Sequence, residues 1–222
     1  MDRPVYLNLR EIDQIKKGNQ TQLLRLVKSE DVACLDFLAG RCDNEPITSK
    51  SLGQQWRPEG LMVWCAEYPD EGVEFIEPYF GQPGDILWVK ESYADGIGIG
   101  GCIDGDITKP INVIYRVDGA RGIKWFSSCA MPKRYARIRL NVMWVSIIKV
   151  KELSFEDLLA QGYTESPSVR AWDSFVVEWD DMHPKYPYET NPWVWKYTFE
   201  KSRGTVKDEQ QVRSIGQDAV SS

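Results

Sequence analysis

The stretch from Phe80 to Tyr93, FGQPGDILWVKESY, constrains the fold of this chain more than any other. Pro83 presets φ for a turn and Gly84 can supply a positive φ, so Gln-Pro-Gly-Asp is a turn with a mechanism. Ile86, Leu87, Trp88 and Val89 then run without a polar interruption, the pattern of a strand buried on both faces. Lys90 and Glu91 end the run as a charged pair. Two readings of that pair stay open: an exposed ion pair of little energetic weight, or the rim of a pocket. In a regular strand the two side chains point to opposite faces, which weakens a joint catalytic role.

Composition narrows the class. A chain of 222 residues, 42% hydrophobic and 27% charged, suits one soluble globular domain with elaborations, or at most two small ones. Its net charge of −6 argues against non-specific wrapping of duplex nucleic acid, though a local basic groove remains compatible with it. Five scattered cysteines (Cys34, Cys42, Cys65, Cys102, Cys129), no CxxC and a single histidine, His183, give no zinc set, so neither a metal nor a cofactor is expected. Free thiols fit a reducing cytoplasm. The N-terminal residues hold no apolar signal core and no run of 18 apolar residues occurs, so a secreted or membrane protein is not expected.

Taken in order, the residues predict a strand over Pro4–Leu9 and a helix over Arg10–Lys17 capped by Gly18. A strand carrying Arg25 comes next, then a helix over Ser29–Leu38 with Ser29 as N-cap. Arg41 to Gln55 is polar and turn-rich. Leu61–Tyr68 and Val73–Ile76 read as two strands of a hairpin. Gly96 to Asp106 is glycine-heavy but lacks the Lys-Ser/Thr of a phosphate loop and reads as a flexible or hairpin loop. Ile111–Val117 and the long Arg137–Val150 read as strands, Leu153–Gly162 as a helix with Ser154 as N-cap, Val169–Asp181 as a helix and Trp193–Glu200 as a closing strand. The fold class this implies is α+β, a small mixed β-barrel flanked by short helices.

Several of these segments, in this order, resemble one family. They are Gly18-Asn19-Gln20-Thr21-Gln22 leading to Arg25, Gly84 through Glu91, Trp125 through Ser128 with Met131-Pro132, Ala136-Arg137-Ile138, Leu153 through Gly162, and Asn191 through Trp195 with Phe199-Glu200. The chain resembles the ASCH-domain proteins of the PUA-like superfamily, in the longer form commonly carried by bacteriophages and prophages. The resemblance implies one domain over 1–200 with an insert at about 41–78, while residues 201–222 read from their own composition as a polar, mobile tail. It implies a β-barrel with a cleft that binds RNA, a nucleotide or a modified nucleoside in the host cytoplasm.

Some small members of that superfamily remove the acetyl group from N4-acetylcytidine with a lysine, a threonine and a glutamate. The corresponding positions here are Gln20, Leu23 and Asn141, none of which can act as base, nucleophile or acid. Binding without catalysis is therefore expected. Gln20, Thr21, Ser128 and Asn141 can hydrogen-bond a base edge. Arg25, Lys90 and Arg137 can meet a phosphate, and Trp88 or Trp125 can stack a base. Beside each stands a structural alternative: Trp88 as core, and Arg25 and Arg137 as partners of Glu91 or Asp85. His183 reads as a surface residue in a Pro-rich loop, and Asp173, Glu178, Asp180 and Asp181 as a solvated acidic face. The expected cleft thus comprises Gln20, Thr21, Arg25, Lys90, Glu91, Trp125, Ser128, Arg137 and Asn141. Two other readings remain. One is a phage accessory protein that binds a host defence or nucleic-acid-processing protein, with the aromatics between His183 and Trp193 as anchors. The other is an amidohydrolase or ribonuclease with relocated chemistry on Lys90, Glu91 and Ser128.

Overall fold

The computed structural model describes residues 1–43, 46–95, 113–166 and 169–202. The expectations for Gly96–Asp106, for Ile111 and for most of the tail lie outside the described residues.

The chain opens with β1 (Asp2–Tyr6) and α1 (Leu9–Lys17). The first strand ends three residues earlier than its apolar pattern predicts, because a capping box starts the helix. Asn8 Oδ1 accepts from the Glu11 amide at 2.8 Å, and Glu11 Oε2 accepts from the Asn8 amide at 2.9 Å. Gly18 closes α1 as expected. After β2 (Gln22–Leu26) comes α2 (Ser29–Ala39). Ser29 is not its N-cap. Lys28 holds the extended cap backbone without a side-chain bond, so Ser29 is the first helical residue.

An antiparallel sheet follows, of β3 (Leu52–Arg57), β4 (Gly60–Cys65) and β5 (Val73–Ile76), with β4 central. The segment read as polar and turn-rich, Arg41 to Gln55, thus runs into β3. Gln54 faces a strand rather than water, while Gln55 is exposed. Gln54 Nε2 donates to Ile147 O at 2.8 Å while its Oε1 accepts from Ile147 N at 2.9 Å, and Trp56 Nε1 donates to Val145 O at 2.9 Å. Two side chains therefore stand where a neighbouring strand would, along one edge of a strand described below.

The Pro83-Gly84 turn is present, with Gly84 at φ 90° and Asp85 N bonded to Gln82 O at 3.0 Å. It leads into β6 (Ile86–Lys90), followed by β7 (Tyr93–Asp95) paired with β8 (Val113–Tyr115). Strand β6 is not buried on both faces: Leu87 and Val89 are buried while Ile86 and Trp88 are half-exposed, so Trp88 is only partly core. The remaining elements are β9 (Arg139–Lys149), α3 (Phe155–Ala160), α4 (Ala171–Met182) and β10 (Trp193–Lys201).

The main sheet is mixed, in the order β1-β6-β9-β10-β2, with β1 parallel to β6 and the other pairings antiparallel. Two-residue periodicity divides β10 and β2 between two cores. Trp193, Trp195, Tyr197, Phe199 and Leu23 join the cluster under α1 and α2. Val194 and Leu24 join a second cluster with Leu158, Phe175 and Trp179 from α3 and α4. The apolar run in β9 is a phase change, not burial on both faces. Thr198 pairs with Trp144 but Phe199 pairs with Val142, so Met143 is the extra residue of a bulge. Inward positions switch from Leu140 and Val142 to Val145 and Ile147, leaving Met143 50% and Trp144 58% exposed.

The α+β class stands, with helices on both faces of the sheet. Barrel closure by strand pairing is absent among the described residues, since β1 and β2 are edges. The edges are nevertheless joined at one point, where Arg25 of β2 donates to the backbone oxygen of Tyr6 in β1 at 3.4 Å.

Helix α3 is held to the sheet by Asp157, 9% exposed. Its carboxylate accepts from Ser154 N at 3.0 Å and Lys196 Nζ at 3.1 Å, completing the Ser154 cap read from the sequence. Burial raises its pKa, but those hydrogen bonds and the lysine charge outweigh it and hold the group below its ordinary value. A depressed carboxylate stabilises the fold above its unfolded pKa, and that contribution is lost as pH falls through the folded one. Asp157→Asn is therefore expected to lower the urea midpoint near pH 7 and to narrow the gap from wild type as pH falls below about 4. An undiminished gap below that pH would remove Asp157 from the acid response.

Candidate ligand-binding cavity

A cavity of about 360 Å³ opens between α1, the β2 edge of the main sheet and α4. Tyr6, Asn8 and the first turn of α1 form one side, Gln20, Leu24 and Arg25 the floor, and Gln161, Tyr163 and the last two turns of α4 the other side. The capping box that begins α1 at Leu9 brings Arg10 and Glu11 to this space.

Two ion pairs set its electrostatics. Arg25 forks onto Glu11 (Nη1 to Oε1 2.8 Å, Nη2 to Oε2 3.1 Å) and also donates to Leu24 O at 2.6 Å. Arg10 Nε lies 3.2 Å from Glu178 Oε2, Nη2 donates to Gln161 O at 3.3 Å, and the guanidinium covers the Tyr163 ring at 3.9 Å. Tyr163 Oη donates to the same Glu178 carboxylate at 2.9 Å, and burial pushes the phenol pKa up. Both cations are thus neutralised by carboxylates within the cavity wall.

Aromatic surface and acceptors complete the wall. The His183 ring lies 4.1 Å from the Trp179 ring at 30°, and burial holds its pKa below the ordinary histidine value. Its Nδ1 is 3.1 Å from Trp179 O; a carbonyl only accepts, so the neutral ring carries its proton on Nδ1 and leaves Nε2 as an acceptor. Gln20 is 4% exposed; its Nε2 donates to Gln22 O at 2.8 Å, and its Oε1 is buried without a hydrogen-bond partner among the described residues. A buried unpaired acceptor costs about 1–3 kcal/mol and calls for an explanation.

The expected site residues divide. Gln20 and Arg25 line the cavity. Lys90 sits behind it: Nζ donates to Cys129 O at 2.6 Å and to Tyr6 Oη at 3.2 Å, and Tyr6 is a wall residue. Glu91, 1% exposed, is forked by Arg137 (Nε to Oε1 3.0 Å, Nη2 to Oε2 2.8 Å), which also donates to Asp118 at 2.6 Å. Lys90 and Glu91 therefore do not form an exposed pair. Arg137 does pair with Glu91, whereas the partner of Arg25 is Glu11 rather than Glu91 or Asp85. Thr21 is exposed outside the cavity, Ser128 and Trp125 are half-buried in the segment after β8, and Asn141 on β9 is separated from β2 by β10. Leu23 is fully buried in the core, so a hydroxyl at that position would face no cavity.

Among residues read as surface, His183 and Glu178 are cavity residues instead. Phe175, Trp179 and His183 recur every four residues, so the apolar face of α4 carried one turn further would have pointed to His183. The pairing of Glu11 with Arg25 left no local signal. Trp193 is 1% exposed and Tyr188 packs on Trp172 and Phe175, which leaves Tyr186, 45% exposed, as the loop's outward aromatic.

No family model, curated protein or solved structure matches this chain. No helix among the described residues is long and apolar enough to cross a membrane, and no group of three metal-ligating side chains occurs among them.

Proposed function

We propose that the chain is an ASCH/PUA-like binding protein whose cavity takes the base of a nucleoside, a nucleotide or an RNA without transforming it. The reading joins the resemblance along the sequence to one observation: a cavity walled by aromatics in which both arginines are already paired and the unmet groups are acceptors. Such a wall suits an uncharged planar ring bearing N–H donors and gives little to a phosphate. Solvent does not reach Gln20 Oε1, so a ligand donor meets it through a small rotation of the side chain. The Arg25 contact to Tyr6 supports a sheet curled far enough for its edges to approach, in keeping with a PUA-like barrel. Gln20, Leu23 and Asn141 at the hydrolase positions support binding rather than turnover.

Calorimetric titration with nucleosides and their 5′-monophosphates tests this reading. Nucleoside binding is expected, equal within about threefold to that of the monophosphate, and weakened about tenfold in Gln20→Leu, a loss of about 1.4 kcal/mol. Absence of saturable nucleoside binding at low salt would sink the reading. A protein partner is the second reading, favoured by the outward Met143 and Trp144 at the β9 bulge.

A further inference from the structure

Although the chain carries a net charge of −6, the described segment from Val113 to Arg139 holds seven lysines and arginines against one carboxylate, Asp118. Asp118 is occupied by Arg137 and Lys16, and Lys133 pairs with Asp2. Arg116, Arg121, Lys124, Arg134 and Arg139 are exposed and make no ion pair among the described residues. This concentration of cations is not a solvated helix face, since the segment consists of β8, short 3-10 turns, irregular chain and the first residue of β9.

Aromatic rings are packed into the same segment. Tyr93 on β7 stacks with Phe126 at 5.4 Å and lies 5.6 Å from Tyr135. Tyr115 Oη donates to Tyr135 O at 2.6 Å, the Arg137 guanidinium covers Tyr115 at 3.8 Å, and that of Arg134 covers Tyr135 at 4.8 Å. These contacts gather residues 20 apart in sequence around Tyr93. Phe126, at the outer end of the stack, is 46% exposed.

From this juxtaposition we infer that the face built by residues 113–139 is a docking surface for single-stranded nucleic acid, separate from the cavity. Exposed cations meet the backbone phosphates, and Phe126 offers its free face to an unpaired base. Stacking on such a platform needs a base that is not already stacked, which favours a single strand over a duplex. An anionic membrane would use the charge, but the segment has no amphipathic helix to insert. The inference takes nothing from the cavity reading beyond compatibility with it.

Fluorescence anisotropy with labelled RNA and DNA strands of about twelve nucleotides, at about 50 and 200 mM salt, tests the surface. Saturable binding is expected, weakening with salt at a log–log slope of about −2 to −3 for three or four phosphate contacts. The triple variant Arg121→Ala/Lys124→Ala/Arg134→Ala should weaken binding at least tenfold and flatten that slope. Phe126→Ala should weaken it about five- to hundredfold. Unfolding midpoints matching wild type confirm that both variants fold, and Gln20→Leu should weaken strand binding far less than the triple variant does. A preference for RNA over DNA would add a 2′-hydroxyl contact to the same surface. The inference is overturned if no strand binds at the lower salt or the triple variant binds as wild type. It is also overturned if binding follows Gln20→Leu instead, or if the charge variants affect only phosphatidylserine vesicles. Strand binding lost in the triple variant, with nucleosides failing to bind, would sink the cavity reading alone.

Discussion

Arg137→Met is expected to destabilise the protein by about 3–5 kcal/mol, read as a lowered urea midpoint at unchanged slope. The substitution removes the guanidinium that forks onto Glu91 and leaves that carboxylate, 1% exposed, without its cation in the interior. Burial works against the charge on Arg137, but its bonds to Glu91 and Asp118 outweigh burial and raise its pKa, so the guanidinium keeps its proton. Loss of the partner, not loss of the attraction itself, supplies the cost. Arg137→Met combined with Glu91→Leu should therefore recover most of the stability, because two apolar groups need no compensation. A single-variant loss below about 1 kcal/mol would mean that water solvates Glu91, and would reduce the pair to a surface contact.

Trp179→Ala should cost a similar amount, about 3–5 kcal/mol, for a different reason. Trp179 is 2% exposed, packs against Phe175 with ring centres 5.9 Å apart, and donates from Nε1 to Tyr186 O at 2.9 Å. Truncation leaves a void between α4 and the sheet and removes the ring on which His183 rests. Trp179→Phe separates packing from site. It keeps an aromatic wall and should lose about 1–2 kcal/mol, with nucleoside affinity falling together with His183 order in histidine proton spectra. An alanine variant as stable as wild type would contradict the placement of α4 against the second core.

Local chemistry made much of the fold legible. The Pro83-Gly84 turn, the Gly18 and Ser154 caps and the strand after the turn each depend on residues a few positions apart, and each is present. What the sequence concealed depends on distant partners. Strand β3 reads as polar because Gln54 serves the backbone of Ile147, 93 positions away. The β9 bulge hides inside an apolar run, since an extra residue shifts the phase without changing the composition. For the candidate site the same division holds. Gln20 and Arg25 were legible from a short motif, whereas Glu11, Glu178 and His183 reach the cavity only once α1 and α4 are packed. Lys90 and Glu91, prominent as a sequence pair, diverge to Cys129 and Arg137 because adjacent residues leave a strand on opposite sides.

The amide of Gln54 has a consequence for how this protein behaves in a crowded solution. Beyond its short pairing with β6, the outer rim of β9 would present unpaired backbone groups beside apolar Trp144, the kind of template on which a second chain can add a strand and seed aggregation. Gln54 and Trp56 occupy those groups at Val145 and Ile147. Strand β3 is thereby a guard on the main sheet, and a form of this chain lacking β3 would bare an adhesive edge at that rim of β9.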